Sequence, residues 1–141
     1  MFTLRKFADI KHHLPPDCWC RQRREFAAGG FDDEWVLHAT GPVQLAQLDL
    51  AQPDVPGVQL PKGASVFLVL VQADADIGQL LSPGDDTGTA GVMVLGDLRL
   101  RNALLGGQEL YVSGDLHVAE LLWGNYNHGD LVVYGVLSAS L

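Results

Sequence analysis

Three groups of residues in this chain have types and spacings suited to chemistry. Asp97 and Asp115 each follow a glycine in a shared local pattern, Gly96-Asp97-Leu98 and Gly114-Asp115-Leu116. On neighbouring strands their carboxylates would lie about 5 Å apart, the strand spacing. Two carboxylates that close can pass a proton in acid–base catalysis. Aspartates in turns more often accept hydrogen bonds from nearby backbone N–H groups. Capping, with a share in binding, is therefore the role expected of Asp97 and Asp115. His12, His13, Cys18 and Cys20 form the second group. Imidazole and thiolate are zinc ligands, but cysteine pairs at zinc sites are usually two to four residues apart. Cys18-Trp19-Cys20 leaves a single residue between the thiols. The expectation is a packing turn centred on Trp19, with exposed histidines and no metal. Cys18 beside a histidine would make a nucleophile and its base, yet no spacing brings them together. The third group is Trp123-Gly124-Asn125-Tyr126-Asn127-His128-Gly129. Rigid aromatics beside amides and glycines make recognition surfaces. Trp123, Asn125, Tyr126, Asn127 and His128 are accordingly candidate binding residues. None of these groups amounts to a catalytic set, so an enzyme is not expected, nor a cofactor. No phosphate loop or dinucleotide fingerprint is present.

The elements that must position these residues repeat. Gly91–Leu105, Glu109–Leu122 and Asp130–Leu141 each read as a strand, a glycine and a second strand, centred on Gly96, Gly114 and Gly135. Val94, Val112 and Val133 then share one position, and Leu98, Leu116 and Leu137 another. Leu100, Val118 and Ala139 share a third. Two weaker repeats extend the register upstream, with Ala73 and Gly41 at the glycine position. Apolar residues at alternate positions turn one face of each strand inward. One such repeat cannot bury that face alone, so repeats must stack. The glycine fits a corner of the coil. The prediction is an all-β chain: a short, irregular β-solenoid (β-helix-like) over residues 35–141, behind a small mixed, partly helical N-terminal cap over residues 1–34. A meander of hairpins also alternates, but it usually carries Asn-Gly or Asp-Gly between strands, and here the order is Gly-Asp inside the apolar pattern. The longer upstream spacings are read as corner insertions. In the cap, Phe2, Leu4, Phe7, Ile10 and Leu14 could line one side of a short helix ended by Pro15-Pro16. A second helical turn is expected near Cys18–Ala28, before Gly29-Gly30.

Charge is unevenly divided. Residues 1–31 hold six basic groups against three acids, for +3, whereas residues 32–141 hold three against 14, for −11. Such an acidic segment repels nucleic acid and anionic membrane and suits a basic protein partner. Arg21, Arg23 and Arg24 are expected to meet the acidic segment internally. The start, MFTLRKFADIKHHLPP, has no apolar signal core. The longest apolar run, Val66–Val71, is too short to span a bilayer. A cytoplasmic protein with reduced cysteines is expected.

The stretch VSGDL through LLWGNYNHGDLVVYGVL, within Val92–Leu141, resembles bacterial β-solenoid proteins. It is similar to polymer-forming, bactofilin-like coils and to solenoid immunity proteins of polymorphic toxin systems. The resemblance implies a protein-binding module of the immunity or inhibitor type whose partner is a basic protein such as a toxin domain. The alternative it implies is a self-assembling solenoid. The last repeat runs to Leu141 without a polar cap, which predicts pairing as a homodimer through the C-terminal coil, or else a fragment of a longer chain.

Overall fold

The computed structural model describes residues 1–22, 29–81, 90–105, 109–124 and 131–139. Strands dominate them. In chain order they are β1 (Thr3–Lys6), β2 (Trp35–Ala39), β3 (Val43–Asp49), β4 (Val66–Val71), β5 (Ala75–Leu81) and β6 (Gly91–Val94). They continue with β7 (Leu98–Leu105), β8 (Leu110–Val112), β9 (Leu116–Gly124), β10 (Leu131–Val133) and β11 (Leu137–Ala139). Among the described residues helix is limited to α1 (Phe7–Ile10), a 3-10 turn at Lys11–His13, and α2 (Trp19–Gln22).

From β2 onward the strands alternate between two open sheets. The first runs β1-β2-β4-β6-β8-β10 and the second β11-β9-β7-β5-β3. All pairings are parallel except β1 with β2. Parallel neighbours need a crossover, so a hairpin meander is excluded. The register matches the aligned repeats. Val71, Val94, Val112 and Val133 are successive partners, as are Ala75, Leu98, Leu116 and Leu137. The weaker upstream repeats lie in the same frame, with Leu37 opposite Val69 and Val43 opposite Ala75.

The main core fills the space between the sheets. Leu37, Val69, Val71, Val92, Val94, Leu110 and Val112 meet Ile77, Leu80, Leu98, Leu100, Leu116 and Val118 there, all buried. In the second sheet strict alternation fails. Ile77 and Leu80 both point inward with two residues between them, and so do Leu100 and Ala103. The β7–β9 register shifts between Leu100 and Asn102. A bulge-like irregularity of this kind bends a strand and turns two consecutive residues outward. The insertion between β3 and β4 adds Leu50 and Val55 to the same core, with Val58 and Leu60 packed against it. Val58, Gln59 and Leu60 border a cleft with Gln47 and Asp49 of β3. The insertion therefore runs beside the edge strand of the second sheet, where bare backbone groups would otherwise invite pairing.

The N-terminal residues depart from the expected helix. Phe2 joins the core between the sheets, and Leu4 packs against it. Phe7, Ile10, Leu14, Cys18 and Cys20 instead pack on the outer face of the first sheet, over Val36, Leu68, Leu70, Met93 and Tyr111. The apolar residues assigned to one helix face thus serve two cores. Backbone pairing of Thr3–Lys6 with β2 displaces the first helical turn. Residues 1–34 were expected to close one end of the stack. Among the described residues β1 extends an edge of the first sheet, and residues 7–22 cover its outer face. With both faces of the first sheet buried, β4 must be apolar throughout, and it reads VFLVLV.

Candidate functional site

The corners between the sheets place Asp97 and Asp115. The N–H of Asp97 donates to Asp74 Oδ1, that of Asp115 to Asp97 Oδ1, and that of Val136 to Asp115 Oδ1, each at 2.8 Å. Each carboxylate thus caps a backbone amide of the following coil. Beside it, Gly114 donates to the Gly96 carbonyl and Gly135 to the Gly114 carbonyl, both at 2.9 Å. The preceding carboxylate and carbonyl fill the space a Cβ would need. At Gly96 it would meet Asp74 Oδ1 at 2.6 Å, and at Gly114 it would meet the Gly96 oxygen at 2.7 Å. The equivalent corner one coil earlier carries Ala73, and the coil before it has Pro42 in place of the carboxylate. Asp97 and Asp115 are brought onto one line, as the repeat alignment required, and their visible work is capping.

Among the described residues the outer face of the second sheet is open to solvent. Gln44, Asp76, Arg99, His117 and Ser138 stand opposite one another in register, one per coil, and all are exposed. His117 Nδ1 and Ser138 Oγ lie 2.6 Å apart. A shallow cleft of about 560 Å3 lies between this row and the corner, bordered by Pro42, Asp74, Asp76, Asp97 and Arg99. A second cleft of about 690 Å3 follows the bend of the strands, floored by Ala46, Gly78 and Ala119 and walled by Asp76, Arg99 and Arg101. Glu120 lies 3.8 Å from Arg101 and accepts from Asn102 at 3.4 Å. Sequence reasoning did not single out this row, although it sits three residues after each corner residue in the aligned repeats.

Four further basic groups, Arg5, Lys6, Lys11 and Arg21, lie in the N-terminal segment. Lys11 pairs with Asp32 at 2.9 Å, and Lys6 reaches the Asp33 carbonyl and sits 3.8 Å over the Trp35 ring. Arg21 donates to the Leu14 carbonyl at 3.1 Å. Its partner is the covering segment itself and not the acidic coils that were expected to receive it. Arg23 and Arg24 lie outside the described residues.

His12 and His13 are exposed, whereas Cys18 and Cys20 are buried as free thiols. Among the described residues no three His, Cys, Asp or Glu side chains are grouped to hold a metal ion. Trp19 packs over Gly91, whose added Cβ would stand 2.7 Å from the indole. Beside it the Tyr111 hydroxyl donates to Asp17 at 2.9 Å. Burial, then the hydrogen bond and charge of Asp17, push the Tyr111 phenol up from its ordinary range, so it stays a donor. The Trp19-centred packing turn is present.

Of the third group, Trp123 ends within β9, its backbone opposite Leu104. Asn125, Tyr126, Asn127 and His128 lie outside the described residues. No helix among the described residues is long and apolar enough to cross a membrane. No protein-family model, no curated protein and no solved structure matches the chain.

Proposed function

We propose that the chain is a short β-solenoid acting as a protein-binding module, with the bare side of the second sheet presented to a basic protein. The observation that carries this reading is the excess of carboxylates over basic groups along the corner and bare face of the second sheet. Asp74, Asp76, Asp97, Asp115 and Glu120 stand at the corner or on the bare face, against Arg99 and Arg101. Arg5, Lys6, Lys11 and Arg21 belong to the N-terminal segment, where Asp9, Asp17, Asp32, Asp33 and Glu34 offset them. A rigid sheet face with an acidic margin steers a basic partner and sets its orientation. An immunity-type inhibitor of a basic toxin domain, working in the cytoplasm, is the biological form this reading takes.

The test is affinity capture from the native host with Asp76→Lys/Glu120→Lys as the comparison. These two carboxylates cap no described backbone amide, so the variant should melt with the parent. The captured protein should be basic, and its association should slow about tenfold in the variant and in raised salt. A partner indifferent to the reversal, or none at all, defeats the reading.

A second reading, self-assembly, is favoured by the coil formed by β10 and β11. Tyr134, Val136 and Leu137 are exposed there at 57%, 64% and 47%. Both strands are outermost in their sheets among the described residues. Sedimentation across a concentration series should then show association that Leu137→Lys removes. A monomer at every concentration rules this reading out.

A further inference from the structure

The two ends of the stack are finished differently. At one end β1 forms the edge of the first sheet and runs antiparallel to β2. It carries Lys6 and an exposed Arg5. The insertion that runs beside β3, the edge of the second sheet, contains Pro53, Pro56 and Pro61. Basic side chains, prolines and a covering loop are the usual means of keeping an edge from pairing. At the other end, among the described residues, β10 and β11 are the edges and none of these devices is present. Residues 131–139 read LVVYGVLSA, without a charged side chain. The coil before carries Asp115 and Glu120, and the one before that Asp97, Arg99 and Arg101.

Leu137 is the next member of the inward column Ala75, Leu98 and Leu116. Those three are 3%, 0% and 0% exposed, whereas Leu137 is 47% exposed. One more layer of strands would bury it. The corner does not prepare for a further coil of the same kind. Asp97 caps the Asp115 amide and Asp115 caps that of Val136, but Val136 itself stands at the aspartate position with no carboxylate to offer.

We propose that this end is a self-pairing surface, on which a second copy docks its own β10–β11 coil about a two-fold axis normal to both sheets, so that assembly closes at two chains. The proposal rests on the self-assembly reading and specifies its form. Val132 and Ser138, the midpoints of β10 and β11, lie three residues before and three after Gly135. A coil that turns at Gly135 sets these midpoints across from each other, so one axis serves both strands. Rotation about it lays β10 on its copy and β11 on its copy, each pair antiparallel. The edge backbone groups are then paired without a carboxylate ladder, because the two Gly135 corners fall on opposite sides of the joint. Val133 and Leu137 of both copies close one apolar layer. Charge favours the same contact. Two copies of a chain of net −8 repel each other, and the uncharged coil is where they approach at least cost. A surface matched to itself makes a closed dimer, whereas a filament needs a second, complementary end. The end closed by β1 and the insertion is not one.

The experiment is sedimentation equilibrium of the full chain, joined to cysteine cross-linking. The mass should rise with concentration and level off at two chains. In Ser138→Cys the new thiols face each other across the axis, at the roughly 4.5–5.5 Å Cα separation of an antiparallel pair, which a disulfide spans. Mild oxidation should convert most of that variant to a covalent dimer that dithiothreitol reverses. His117→Cys, one coil back, places its thiols about three strand spacings apart, roughly 14 Å, and should give no covalent dimer. The parent, whose Cys18 and Cys20 are buried, is the blank. A monomer at every concentration overturns the proposal together with the self-assembly reading. Growth past two chains, a dimer that Ser138→Cys does not lock, or one that His117→Cys locks equally well leaves self-assembly standing and overturns the two-fold joint.

Discussion

Gly114→Ala should destabilise the protein by roughly 2–4 kcal/mol, more than a single added methyl group usually does. The new Cβ would enter the space held by Asp97 Oδ1 and would stand 2.7 Å from the Gly96 oxygen. Neither neighbour can give way easily. The carboxylate caps the Asp115 amide at 2.8 Å, and the carbonyl accepts from Gly114 itself at 2.9 Å. Gly41→Ala is the matched control. It also sits at a corner, but its Cβ would meet nothing within 4 Å, and the change should be close to neutral. Asp97→Ala alone should cost about 1–2 kcal/mol, the usual effect of removing a charged side-chain cap from a backbone N–H. Combining Asp97→Ala with Gly114→Ala removes the carboxylate obstruction and leaves the carbonyl contact. The double variant should therefore lose less than the sum of the singles, with coupling of about 1 kcal/mol or more. Pro42 followed one coil later by Ala73 likewise joins the absence of a carboxylate to a corner residue with a Cβ. Urea unfolding of the four variants decides the matter. Additive losses would mean that the corner glycine answers to something other than the aspartate below it.

The contacts at these corners explain why the repeated strand–corner–strand units were legible in the sequence. Glycine and aspartate recur together because each coil's carboxylate occupies the place of the next coil's Cβ. The same alignment predicted the parallel register of Val94, Val112 and Val133 that the sheets adopt. It identified Asp97 and Asp115 as equivalent, and their capping follows from their place beside an amide that needs an acceptor. The outward row of Gln44, Asp76, Arg99, His117 and Ser138 was readable by counting three residues past each corner. It went unread because its residue types differ from coil to coil, and side-chain chemistry on a solvated face carries no periodic signal.

Two features were not legible, for different physical reasons. The slip in alternation at Gly78-Gln79 and Arg101-Asn102 reflects bending of the second sheet. A polar pair between apolar residues reads equally well as a loop. The placement of Cys18, Trp19 and Cys20 depends on Gly91 and Tyr111, far along the chain, and no local pattern specifies such a contact. Val66–Val71 was noticed as an apolar run, but its reason lies in the N-terminal segment that covers it.

Phe7→Ala should be the most damaging change on that covered side. Phe7 is wholly buried, and its ring meets Phe67 edge-on at 5.3 Å, while Phe67 stacks on Phe31 at the same distance. Truncating a buried phenylalanine typically costs about 3–5 kcal/mol. Here the loss should show a further signature, because the segment is anchored at separate points. Phe7 secures its start, Lys11 pairs with Asp32, and Asp17 and Trp19 hold its end. Freeing the start would uncover Leu68 and Leu70 without breaking the corner ladder, which lies beyond the ends of the first sheet's strands. The variant should bind an apolar dye below its unfolding midpoint and exchange amides rapidly over residues 7–14, while those of β7 and β9 stay protected. If β7 and β9 lose protection together with residues 7–14, the cover and the coils form one cooperative unit. The segment would then be as necessary to the stack as any of its strands.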